Sequence, residues 1–213
     1  LFELINSIFF GLIILIPLAN PITTVALFIA LSKNMTKQNK NRQAFLASVY
    51  IFFIIVISFY FGQFIMKTFG ISIPGLRVAG GMIVAYIGFK MLFPASKSDS
   101  SSSSSFNNIA FVPIAMPSTA GPGTIAMVIS LASTVSSGQS DTPSWIIYIS
   151  SIAVPLILSV IIWLSLRSAD SIMKIFGENG VDAISRIMGF LLVCMGTQFI
   201  INGIKEIIVN FPN

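Results

Sequence analysis

Pro17-Leu-Ala-Asn20-Pro21-Ile-Thr23 and Pro117-Ser-Thr-Ala-Gly121-Pro122-Gly123-Thr124 are interruptions of one kind, each set inside an otherwise apolar run. Laying Pro21 on Pro122 also lays Thr23 on Thr124. Proline lacks the amide hydrogen and its ring collides with the preceding turn, so each stretch is expected to break a helix. Inside a bilayer, irregular backbone is tolerated only where it is buried in protein or lines a wet cavity. Paired breaks at matching places in two halves of a membrane chain point to a transporter's binding site.

The surroundings of these breaks decide the solvent. Of 213 residues, 55% are apolar and 9% charged, and the mean hydropathy is +0.92. Soluble domains carry about 25% charged residues, so this is the composition of a polytopic membrane protein. Spanning takes about 20 apolar residues. Six segments meet that length: 4–31, 44–66, 76–93, 109–135, 145–166 and 184–209, and the breaks fall in the first and fourth. The first run has no basic stretch before it and carries Glu3, so it reads as a span and not as a signal peptide.

A serine-rich stretch, 95–108, divides the chain into a three-span repeat, 1–94, and a second three-span repeat, 109–213. Such a segment cannot bury itself and reads as a flexible cytoplasmic linker. The halves share more than the breaks. Phe69-Gly70 returns as Phe176-Gly177, and Leu76-Arg77-Val78-Ala79-Gly80 resembles Ser185-Arg186-Ile187-Met188-Gly189. Three spans per half turn the second half upside down. The expected fold is therefore an all-α membrane protein of six transmembrane helices, built as two inverted repeats, with helices 1 and 4 broken at mid-membrane.

Charge gives an orientation. Lys33, Lys37, Lys40, Arg42, Lys90, Lys97, Arg167, Lys174 and Arg186 fall on one side of the spans, and only Lys67, Arg77 and Lys205 on the other. The rich side is expected in the cytoplasm, with both termini outside. Gly189, Gly196 and Gly203 recur every seven residues, and Gly81, Ala85 and Gly88 make a similar strip. Small residues let membrane helices approach closely, so both strips read as packing surfaces.

The breaks have a chemistry of their own. Asn20 is a strong N-cap residue and Pro21 suits the first helical position; Gly121 and Pro122 repeat that grammar. A new half-helix is expected to start at each, with the amides of Ile22, Thr23, Gly123 and Thr124 and the threonine hydroxyls as donors. Two such ends together would hold an anion without any Lys or Arg. The prolines also release the carbonyls of Ile13, Pro17, Pro113 and Ser118, which suit a cation. The eight residues Asn20, Pro21, Ile22, Thr23, Gly121, Pro122, Gly123 and Thr124 thus read as a site for a small zwitterion.

Absences narrow the function. The chain has no His and one Cys, Cys194, which excludes zinc sites of the usual Cys/His kind, His-based triads and intrachain disulfides. Glu3, Asp99, Asp141, Asp170, Glu178, Asp182 and Glu206 all fall in loops or near span ends, so no carboxylate stands mid-span as a proton relay. No enzyme, cofactor, metal site or nucleic-acid partner is expected. Arg77 and Arg186 read as snorkelling anchors at span ends. Thr197, Gln198 and Asn202 read as a polar patch that bonds to a neighbouring helix or lines the path.

The chain resembles the MarC-type integral membrane proteins, a family of small neutral amino acid transporters. The resemblance runs over nearly the whole length. It rests on the Asn20-Pro21 break, Pro113-x-Ala-x-Pro117 with Ala120-Gly121-Pro122-Gly123, Phe69-Gly-Ile-Ser-x-x-x-x-Arg77-x-Ala-Gly-Gly81, Arg186-Ile-Met-Gly-x-Leu-Leu192 and Gly203-Ile-Lys205. It departs at Ile22, where a small residue is common, and in the serine-rich linker. The resemblance implies six spans and the movement of glycine- or alanine-sized amino acids.

Together these readings give a multi-pass inner-membrane transporter of glycine, alanine and serine, working by alternating access with the substrate at the two breaks. Its partners are then a small neutral amino acid and the lipid bilayer. A LysE-type amino-acid or small-metabolite exporter and a non-transporting structural membrane protein stay open. So do direction, coupling ion and oligomeric state.

Overall fold

The computed structural model describes residues 2–32, 35–93, 109–136 and 143–209. The serine-rich stretch 95–108 and Asp141 lie outside the described residues. Every described element is helical. In chain order these are α1 (Phe2–Ala19), α2 (Pro21–Leu31), α3 (Lys37–Thr68), α4 (Ile73–Leu92), a π-type segment (Ala110–Thr119), α5 (Pro122–Ser136), α6 (Ser144–Arg167) and α7 (Ala169–Val209).

Local sequence sets the ends. Thr36 Oγ1 accepts the Asn39 amide at 3.4 Å, and Ser72 Oγ accepts that of Gly75 at 3.2 Å, so α3 and α4 each start on a hydroxyl cap. α3 stops at Phe69-Gly70, where Gly70 has φ +66°. Gly177, the second glycine of the Phe-Gly pair, has φ +63° and interrupts α7. Neither glycine has a neighbour within 4 Å of an added Cβ, so backbone conformation alone calls for glycine there.

Five stretches are long and apolar enough to cross a bilayer: Phe2–Ile29, Lys37–Thr68, Ile73–Leu92, Ser144–Arg167 and Asn179–Val209. The fourth expected span, 109–135, is different. Val112 and Met116, the residues before Pro113 and Pro117, are extended (φ −119°, ψ 124° and φ −133°, ψ 127°). A following proline pushes a residue out of the α region, so the spacing of the two prolines accounts for both kinks. The backbone bonds there close over five residues and not four, with Ile114 N to Ile109 O at 3.3 Å and Ala120 N to Ala115 O at 2.8 Å. Regular helix resumes only as the 15-residue α5. That is about 22 Å of helix, short of a bilayer's apolar thickness of about 30 Å.

The glycine strips meet. An added Cβ on Gly81 would lie 2.6 Å from Gly196 O, one on Gly88 2.6 Å from Gly189 O, and one on Gly203 2.8 Å from Pro74 O. Positions rise on α4 as they fall on α7, so the two helices run antiparallel with their backbones nearly touching. α3 and α6 pair in the same sense: Tyr60 Oη meets Ser151 Oγ at 2.7 Å, and Phe45, earlier on α3, lines one cavity with Trp163, later on α6. The main core lies among Ile51, Ile109, Ile114, Leu158 and Ile162, and a smaller one among Leu18, Val84, Met127 and Leu192. Outward faces are apolar, with Phe9, Phe53, Phe64, Tyr86 and Phe190 exposed, as a hydrocarbon surround requires.

Candidate functional site

Asn20 stands alone between α1 and α2, with φ 39° and ψ 71°. It is the one non-glycine residue with positive φ among the described residues. Asparagine adopts that conformation more readily than other side chains because its short amide bonds locally. Here Oδ1 accepts the Thr23 amide at 3.3 Å, with Pro21 in the first helical position. The cap therefore uses the Thr23 amide, one of the donors expected to be free, and leaves that of Ile22 ahead of the helix's first bond, Thr24 N to Asn20 O. Asn20 Nδ2 points across to α4, 3.6 Å from Met91 Sδ. Thioether sulfur is a weak acceptor, so this amide retains donor capacity.

The second break follows Ala120. Ile125 N to Gly121 O, at 3.0 Å, is the first bond of α5, and the amides of Gly123 and Thr124 precede it. Thr124 is buried, and its Oγ1 donates to Thr119 O at 3.0 Å. That hydroxyl proton is committed, so toward a ligand Thr124 offers lone pairs. Thr23 Oγ1 is 3.0 Å from Ser185 Oγ on α7.

The breaks meet through residues that the reading of the sequence passed over. Thr24 Oγ1 lies 3.2 Å from Ala19 O, 3.0 Å from Asn20 O and 3.3 Å from Thr119 Oγ1. Thr119 Oγ1 in turn donates to Ile114 O at 3.0 Å. Both threonines are fully buried. A buried hydroxyl in an apolar segment must find a partner. The neighbouring Thr23-Thr24 and Ser118-Thr119 pairs were the available signal.

One cavity of about 280 Å³ receives both breaks. Asn20, Thr23, Gly121, Gly123 and Thr124 of the eight expected residues line it; Pro21, Ile22 and Pro122 do not, and Pro122 is exposed. Thr24, Leu18, Val84, Ile87, Met91 and Leu192 complete the wall. None of these lining residues is ionisable. An added Cβ on Gly123 would come within 2.7 Å of Val84 Cγ2, so this glycine marks the closest approach of α5 to α4. Pockets for small ligands occupy about 300–1,000 Å³, so this one stands at the small end of that range. Amides and an asparagine Nδ2 on its wall suit a carboxylate, and hydroxyl lone pairs suit an ammonium.

Two other expectations, for Arg77 and for the polar patch on α7, resolve differently. Arg77 does not snorkel: it is 17% exposed, pairs with Glu206, and donates to Ser130 Oγ at 2.6 Å and Thr134 Oγ1 at 2.7 Å, tying α4 to α5 and α7. Glu206 on α7 and two hydroxyls on α5 make burial tolerable there. Arg186 reaches back to Leu92 O at 3.3 Å. Gln198 and Asn202 bond to each other within α7 at 2.9 Å, and Thr197 to Val193 O at 2.8 Å, all exposed, so that patch is self-satisfied.

The model of the MarC family of integral membrane proteins matches residues 5–208. The chain is 56% identical over 219 residues to UPF0056 inner membrane protein MarC of Citrobacter koseri, and 55% identical to the proteins of that name in Salmonella typhimurium and Escherichia coli O1:K1. Each alignment covers 98% of this chain and 99% of the relative. No solved structure matches. The chain belongs to the MarC family, and it is an integral protein of the inner membrane.

Proposed function

Taking membership of that family as the premise, we propose that the protein is a transporter of small neutral amino acids working by alternating access. The substrate sits in the cavity between the two interruptions. Its carboxylate faces the amides of Gly123 and Thr124 and the Asn20 side chain. Its ammonium faces the hydroxyl oxygens of Thr23 and Thr124. The observation that carries the reading is that two proline breaks a hundred residues apart in sequence share one wall of a small cavity without a charged side chain. A site of that kind is complementary to a solute whose charges cancel, and to one whose side chain is small.

The fold reading that accompanies it is six spans in two inverted repeats, with the first and fourth broken at mid-membrane and both termini outside. Antiparallel pairing of α4 with α7 and of α3 with α6, each with its counterpart from the other half, supports the repeat. So does the positive φ of both Gly70 and Gly177. The test is uptake of radiolabelled alanine by proteoliposomes. Glycine and serine should compete, and glutamate, lysine and tryptophan should not. Absence of uptake under every ion gradient, or tightest competition by glutamate or lysine, rejects the reading.

A further inference from the structure

A second cavity, of about 300 Å³, lies among α1, α3, α5 and α6. It shares no lining residue with the break cavity. Its polar groups, Asn6, Ser7, Ser150 and Ser151, stand in the early turns of α1 and α6, and Val135 at the end of α5 also lines it. Following the chain back and forth, α1 and α6 begin, and α5 ends, on one face of the bundle. α4 ends on the opposite face at Leu92, and the break cavity reaches Met91. The two cavities therefore approach opposite faces.

Between them lies a thin apolar layer. Ile14 and Leu131 line the second cavity, and Leu18 lines the break cavity. All three pack in one cluster with Met127, which is 3% exposed. Ile14 and Leu18 are one helical turn apart, about 6 Å along the axis. An apolar layer of that depth stops a polar solute until its side chains move, which is how hydrophobic constrictions gate membrane pathways.

We propose that the second cavity is a vestibule on the same solute path, and that Ile14, Leu18, Met127 and Leu131 form the gate between it and the break site. The proposal rests on the transport reading and extends it. Among the residues lining the vestibule none is ionisable, as in the break cavity, so both stretches of the path take a solute without net charge. The Ser151 hydroxyl is taken up by Tyr60 and Tyr148 O, and that of Ser150 donates to Ile147 O at 3.1 Å, so toward a solute at the mouth Ser150 offers its lone pairs beside Asn6 and Ser7.

The experiment uses the full chain in a Cys194→Ala background, reconstituted in vesicles, with a membrane-impermeant methanethiosulfonate applied to one face at a time. From the face of the N-terminus, Ser150→Cys should react at least tenfold faster than Thr23→Cys. Adding Leu18→Ala and Leu131→Ala should raise the Thr23→Cys rate from that face at least tenfold. If that pair disturbs folding, judged by size-exclusion profile, Met127→Ala takes its place. A Ser150→Cys that is unreactive from both faces overturns the vestibule. A Thr23→Cys that reacts as fast as Ser150→Cys, or is indifferent to opening the layer, overturns the gate. The labelling needs no substrate. Alanine uptake by vesicles of the Cys194→Ala parent, with the break cavity intact, reports separately on the transport reading, so the two failures are distinguishable.

Discussion

Substituting Gly123 by alanine adds one methyl group at the place where α5 comes closest to α4. Its Cβ would stand 2.7 Å from Val84 Cγ2 and 3.8 Å from Val84 Cα. Val84 is 3% exposed and β-branched, with few rotamers to escape into. Nor can α4 retreat, since Gly81 and Gly88 press its backbone against α7. Overpacking of this kind costs about 1–3 kcal/mol. Alanine also recovers up to about 1 kcal/mol of helix propensity over glycine, which offsets part of that cost to overall stability. The cavity should show the overpacking too, because Gly123 and Val84 both form its wall. Carried wholly into binding, 1–3 kcal/mol is about a 5- to 150-fold loss of alanine affinity. Calorimetric titration of purified, monodisperse protein measures this, and a thermal melt alongside reports folding. Adding Val84→Ala removes the clashing methyl and should recover most of the loss. Unchanged affinity in Gly123→Ala, or no recovery in the double variant, would refute the reasoning.

Other positions separate site from scaffold. Thr24→Val keeps shape but deletes the hydroxyl shared among Ala19 O, Asn20 O and Thr119, so it should lower stability by about 1–3 kcal/mol, read from the melting temperature. Gly196→Leu forces a side chain against Gly81 O, 2.5 Å from the added Cβ, and should abolish monodisperse protein on size exclusion, whereas Gly70→Ala should cost only the strain of its positive φ. A single cysteine at Ser102 in the Cys194→Ala background should resist impermeant thiol reagents in intact cells, as the charge asymmetry requires; rapid labelling would reverse the orientation.

The scaffold was legible in the sequence where a strong local rule had no competitor. Apolar length gave the helices, and the seven-residue glycine spacing marked both strips as packing surfaces, because close backbone approach admits no side chain; that the strips meet each other is known only from the fold. The Asn20-Pro21 cap was legible for the same reason: few residues tolerate that position. The fourth span was legible only in part. Pro117 and Pro122 announced a break, but the residues before Pro113 and Pro117 had to be read as well to see that the whole stretch Ala110–Thr119 leaves the α ladder. The partners of Arg77 were beyond reach, since they depend on Ser130, Thr134 and Glu206 arriving from two other helices. Thr24 and Thr119 were hidden differently. Each has a hydrogen-bonding partner near in sequence, and only the fold brings one hydroxyl to the other.

The central claim is that the two breaks, and no charged side chain, hold the substrate. Alanine affinity measured on purified Asn20→Leu, Gly121→Leu, Thr23→Val and Thr124→Val tests it most directly, with Arg167→Gln on the basic rim as the reference. Losing a hydrogen bond to a charged group costs about 1.5–3 kcal/mol, so the account predicts roughly 10- to 150-fold weaker binding in the break variants and little change in the reference. Parent-like affinity in all four break variants, each monodisperse, would contradict it and leave the interruptions as kinks in structural helices.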